Sequence, residues 1–165
     1  MQTEERFWRS EGAAARPLAE LLACPVVTES LLNSAAEAFD FQTGEAVFRQ
    51  KGFCRGLYVI VSGSFLRRAE RQEAHLTLGT VRAGELVELA AALGSRIHTY
   101  SLIAQSVGSV MLLPMEVLER AFESYPPLRM QLLSELAREV SRAYNACCAD
   151  RGTSVRRRIL GVAQA

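Results

Sequence analysis

At 165 residues and 49% hydrophobic content, the chain can bury one main core with appended helices, and two full domains are not expected. Its 19 basic and 18 acidic residues nearly cancel, which excludes a molecule-wide field that would draw it onto nucleic acid or an anionic membrane. No apolar run approaches the roughly 20 residues of a spanning helix and no signal-peptide core is evident. Cys24, Cys54, Cys147 and Cys148 form no CxxC or zinc-ligand spacing. A reduced, cytoplasmic protein without a metal or a membrane partner is expected.

In chain order, residues 1–27 read as an N-terminal arm or peripheral helix, in which Ala and Leu mix with charges at loosely helical spacing from Glu4 to Leu22. Thr28-Glu29-Ser30 before Leu31, Leu32, Ala35 and Ala36 predicts a short capped helix. From Ala38 to Pro114, short runs of Val, Ile, Phe, Leu and Tyr alternate with glycine-containing breaks. The predicted strands are 38–42, 46–49, 56–61, 64–70, 75–81, 98–105 and 108–113, and evenly spaced short strands indicate a closed roll or sandwich. Ser62-Gly63 reads as a tight hairpin turn.

Past Pro114 the helical period returns. Met115 to Phe122 predicts a short helix, and Pro126-Pro127 opens a longer one running to about Cys148, since proline is tolerated in a first helical turn. Within it Leu133, Leu136, Val140, Ala143 and Cys147 recur at alternating spacings of three and four, with Met130, Ala137 and Tyr144 in a second line beside them. One apolar line can pack on the chain's own domain and one on a partner's identical helix, so a homodimer is expected. After Asp150-Arg151-Gly152 a new helix is predicted at Thr153-Ser154, with Val155, Ile159, Leu160 and Val162 as its apolar side. Arg151, Arg156, Arg157 and Arg158 form the one local basic cluster, either a solvated face or a phosphate-backbone contact.

The segment with chemical character is Gly84-Glu85-Leu86-Val87-Glu88-Leu89-Ala90-Ala91-Ala92-Leu93-Gly94-Ser95. A helix entered through glycine aims free N–H groups at what precedes it, which favours an anion. Glu85 could accept from a sugar hydroxyl, and Arg96 or His98 could supply a cation. An ordinary capped helix with an exposed carboxylate fits the same residues. No nucleophile and base pair, P-loop or two-histidine motif is present, so no catalytic residue is assigned and an enzyme is not expected.

These residues resemble the cyclic-nucleotide-binding domain of cAMP-receptor/FNR-type bacterial regulators over about 28–160. The resemblance is carried by Gly44-Glu45, Gly56-Leu57-Tyr58-Val59-Ile60-Val61-Ser62-Gly63, Gly84-Glu85-Leu86 and Pro126. It implies an α+β fold: a jelly-roll-like β-roll with N-terminal helices and a long C-terminal dimerisation helix. The expected divisions are 28–125 for the effector-binding roll, 126–150 for the dimerisation helix and 151–165 for the start of a truncated or lost winged helix-turn-helix. The effector would be a small molecule, with cAMP or cGMP as a candidate cofactor. It would lie against Gly84, Glu85, Leu86, Arg96, His98, Thr99 and Tyr144. DNA would be reached only through a C-terminal domain absent from this chain, and the alternative is a stand-alone module acting through a protein partner. The chain departs from the family where cAMP binders carry Arg followed by Ser or Thr, because His98-Thr99 stands there and a histidine makes no bidentate phosphate contact. The hydroxyl residues that reach adenine fall on Ala143 and Tyr144. Only Cys24 lies where the FNR branch has its cluster cysteines, so no iron–sulfur cluster is expected.

Overall fold

The computed structural model describes residues 21–71 and 74–161, with only the backbone for 146–161. The expected arm up to residue 20 lies outside the described residues; Leu22, just after it, is buried in the core. Helix α1 runs Val26–Ala35, two residues ahead of the predicted cap. Pro25 takes the cap position at φ −61°, where a residue without an N–H leaves no donor unpaired. Thr28 is therefore not a cap: it faces inward and is buried with Leu32.

Eight strands follow: β1 Glu37–Phe41, β2 Ala46–Phe48, β3 Gly56–Ser62, β4 Ser64–Arg71, β5 Ala74–Arg82, β6 Leu86–Val87, β7 Ser101–Ala104 and β8 Gly108–Pro114. They form two antiparallel four-stranded sheets, ordered β1-β8-β3-β6 and β2-β7-β4-β5, whose inner faces share one core. Burial follows position. Edge strand β1 alternates half-buried with exposed residues, whereas Gly56 to Ile60 of β3 are buried without interruption, because β3 lies inside its sheet between β8 and β6.

The predicted hairpin at Ser62-Gly63 is instead a corner. β3 pairs with β8 and β6, but β4 pairs with β5 and β7, so the chain changes sheets at Gly63. Gly63 has φ +80°, and a Cβ there would stand 2.7 Å from the Val107 carbonyl and 2.8 Å from Gly108 Cα, where β7 and β8 make the matching crossing. Ser62 and Ser109 hydroxyls 2.8 Å apart, and the Ser64 N–H donating to Ser106 Oγ at 3.0 Å, tie the two corners together.

Three further helices lie among the described residues: the short α2 Leu89–Leu93, then α3 Met115–Ser124, which packs on α1, and α4 Pro127–Gly161. At 35 residues α4 is about 52 Å long. No break occurs at Asp150-Arg151-Gly152 and no second helix begins at Thr153. One glycine costs a helix only about 1 kcal/mol, too little to end it without a competing cap. Its apolar packing on the domain comes from its first turns, through buried Leu128 and Leu132 and half-buried Leu136. Among the described residues no helix is long and apolar enough to cross a membrane.

Candidate functional site

A cleft of about 1300 Å³ separates the roll from α4. Its roll side is built by Arg67 of β4, Val81 of β5, the Gly84-Glu85-Leu86 turn, Leu89 and Tyr100; Glu135, Glu139 and Ala143 of α4 stand opposite. The β4–β5 pairing shifts register at Arg67 and Arg68. Arg67 reaches across to Glu139 at 3.0 Å, lies 6.0 Å from the Tyr100 ring centre and also donates to the Leu78 carbonyl at 3.3 Å. One guanidinium thus joins roll and helix over the cleft.

The turn into the cleft is set by backbone geometry. Gly84 sits at φ +86°, and the strand bonds Gly84 N to Ile60 O at 2.9 Å and Ile60 N to Glu85 O at 3.0 Å hold the turn against β3. Glu85 is exposed, and its Oε2 accepts the Arg82 N–H at 2.6 Å, closing the turn on itself.

Beyond the turn lies a second, buried group that sequence reading missed. Glu88 precedes α2 in the left-handed region, at φ 68° and ψ 30°, which drives its side chain inward until nothing of it is exposed. Its Oε1 accepts from the Thr99 hydroxyl at 3.1 Å and from the Thr99 N–H at 3.4 Å. Its Oε2 lies 3.3 Å from His98 Nδ1, but the two are out of hydrogen-bond alignment, so both buried atoms lack a hydrogen-bond partner. The His98 ring stacks on Phe48 with centres 3.9 Å apart and planes 5° from parallel. Cys54 completes the group: one donor atom from each of Cys54, Glu88 and His98 falls within 4.8 Å of the others. The loop after β2 zips onto the segment before β7, with His98 N on Gly52 O and Cys54 N on Arg96 O, each at 2.8 Å, which brings Cys54 beside His98. Burial pushes the Cys54 thiol up, with a smaller lowering by the Gly56 carbonyl. Burial likewise pushes Tyr58 up to about 12 and raises Tyr100 further.

The expected site residues therefore divide. Gly84, Glu85 and Leu86 line the cleft. Arg96 does not: at φ 61° it turns away, donates Nε–H to the Cys54 carbonyl at 3.1 Å and lies over the Phe53 ring. His98 and Thr99 precede β7, which begins only at Ser101, and both face Glu88. Tyr144 is 70% exposed and lines no part of the cleft. On α4, Leu136 packs toward the core and Ala143 faces the cleft, so neither belongs to an outward seam; the Cys147 side chain lies outside the described residues. The signal available for the buried group was a lone acidic residue, Glu88, inside the apolar run from Leu86 to Leu93.

The family model "Cyclic nucleotide-binding domain" matches residues 38–125. Among curated proteins none matches. Solved structures share the fold at low identity. The sensor domain of the transcriptional regulator DNR from Pseudomonas aeruginosa has TM-score 0.66 and 17% identity, covering 79% of this chain and 87% of that one. A cyclic nucleotide-binding domain from Methylobacillus flagellatus has TM-score 0.71 and 14% identity, over 81% and 82%. The regulatory domain of Toxoplasma gondii PKA, in a co-crystal with cAMP, has TM-score 0.64 and 18% identity, over 73% and 46%. With the two-sheet roll, the Gly84-Glu85-Leu86 turn and the family match over more than half its length, this chain belongs to the cyclic nucleotide-binding domain family.

Proposed function

We propose that this chain is the effector-sensing part of a Crp/Fnr-type transcription regulator, that it holds a small molecule in the cleft between roll and α4, and that α4 pairs with its copy in a homodimer. The observation that carries the reading is the bridged cleft: the family's effector turn forms one wall, α4 the other, and Arg67–Glu139 spans them. A partly exposed ion pair contributes about 1 kcal/mol or less, so a ligand needs only a small difference in affinity between two α4 positions to bias them. DNA reading falls to a C-terminal winged helix-turn-helix beyond these residues, and a cytoplasmic setting goes with that role.

The residues present do not fit a cyclic phosphate. The two positions that would hold it, His98 and Thr99, already face the buried Glu88 carboxylate, and a phosphate diester brought to them would meet that charge, while Arg96 donates to the Cys54 carbonyl and Arg67 pairs with Glu139. Calorimetry of cAMP and cGMP against the purified chain is therefore expected to give no micromolar binding. Micromolar binding that disappears in Glu85→Ala would overturn this and make a cyclic nucleotide the effector.

A further inference from the structure

We propose that Cys54, Glu88 and His98 form a binding site for a zinc-class divalent transition-metal ion, buried behind the effector turn and separate from the cleft. None of the three lines the cleft.

The donor set is the first ground. A sulfur, a carboxylate oxygen and an imidazole nitrogen suit zinc and its first-row neighbours, not magnesium or calcium, which take oxygen alone. Geometry is the second. Bond lengths of about 2.0–2.3 Å place donors roughly 3.3–3.8 Å apart around a tetrahedral ion. The Glu88 and His98 atoms are already 3.3 Å apart, and all three donors lie within 4.8 Å, so contraction by about an ångström closes the set.

The third ground is that two of the donors are unsatisfied as the fold stands. Glu88 Oε2 and His98 Nδ1 are buried without a hydrogen bond, although their side chains are 0% and 2% exposed. Buried polar atoms are nearly always paired, and an orphaned pair beside a thiol is the arrangement a cation resolves. Charge agrees: among the described residues Glu88 has no Lys or Arg ion-pair partner, and a divalent ion would balance its carboxylate and a Cys54 thiolate together.

Supporting contacts already hold the ligands. Thr99 fixes the other Glu88 oxygen, Phe48 fixes the His98 ring, and the 52–54 to 96–98 zipper fixes Cys54 against His98. Binding would expel the thiol proton to solvent and take Cys54 Sγ from the Gly56 carbonyl, to which it donates at 3.1 Å. Three protein ligands leave a fourth position for water. The ion would cross-link the loop before β3, the residue before α2 and the segment before β7. Because the Glu88 N–H donates to the Tyr100 hydroxyl at 3.2 Å, it would also stiffen a wall of the cleft.

The test is titration of the reduced, chelator-stripped full chain with Co²⁺, read by the thiolate-to-cobalt charge-transfer band, with Zn²⁺ displacing the cobalt. One ion per chain is expected. The band should vanish in Cys54→Ser, persist in Cys24→Ser and in Cys147→Ser with Cys148→Ser, and need about tenfold or more Co²⁺ in Glu88→Gln. No saturable band in the native chain, a band surviving Cys54→Ser, or indifference to Glu88→Gln would overturn the proposal. Should Cys54→Ser not fold, X-ray absorption of the native zinc form decides: one sulfur among nitrogen and oxygen neighbours supports the site, and none or several removes it.

Discussion

Glu88 shows how one side chain redirects a familiar site. A glycine or small apolar residue before α2 would leave His98 and Thr99 free; a left-handed glutamate turns its carboxylate onto both. The sequence made His98 and Thr99 legible as a departure from the family but not what they met instead, because Glu88 and Cys54 reach them only through the backbone zipper and an unusual φ. Buried tyrosines give the residue scale a pH signature. Tyr58 is pushed to about 12 from an unfolded value near 10, so the fold favours its neutral form. That contribution, about 2–3 kcal/mol, is complete below pH 10 and is lost as pH rises through 12. Urea midpoints should fall between pH 9 and pH 11.5, and Tyr58→Phe should fall less; equal falls in both would exclude Tyr58 as a source.

At the scale of elements, α4 presents two faces. Leu128, Leu132 and Leu136 turn to the roll, while Leu133, Ala137, Val140 and Tyr144 lie exposed outside the cleft at spacings of three and four. The periodicity was readable, but its division was not: sequence alone mixed Leu136 and Ala143 into the outward line, since a heptad names a stripe without saying which side the domain occupies. Two variants separate the faces. Leu132→Ala should cost about 2–4 kcal/mol of folding stability by leaving a cavity at a residue 3% exposed. Leu133→Glu with Val140→Glu should leave monomer stability within about 1 kcal/mol yet shift the proposed dimer to monomer in sedimentation. A double variant sedimenting as the native chain does would remove this face as the dimer contact. Strands were the most legible elements, because period-two burial and glycine breaks are local signals. The corner at Gly63 was not, because a two-residue turn reads alike whether the next strand pairs with the last or crosses to the other sheet.

For the whole molecule, composition and strand spacing were enough to indicate a single roll with a helical tail, and the two-sheet order agrees with it. Composition could not indicate the cleft, which exists only because α4 stands off the roll beyond its first turns and is held by Arg67. With the proposed effector in that cleft and the proposed partner on the outer face of α4, both would act on one rod. In the proposed dimer, a ligand that moves α4 against the roll also moves the seam, so the two equilibria share a coupling free energy and each must alter the other by the same factor. Apparent effector affinity should then depend on protein concentration, differing between dilute and concentrated solution, and should lose that dependence in Leu133→Glu with Val140→Glu. An affinity constant across the dimer's dissociation range would mean that the rod transmits nothing, and that sensing and assembly in this chain are separate properties of one helix.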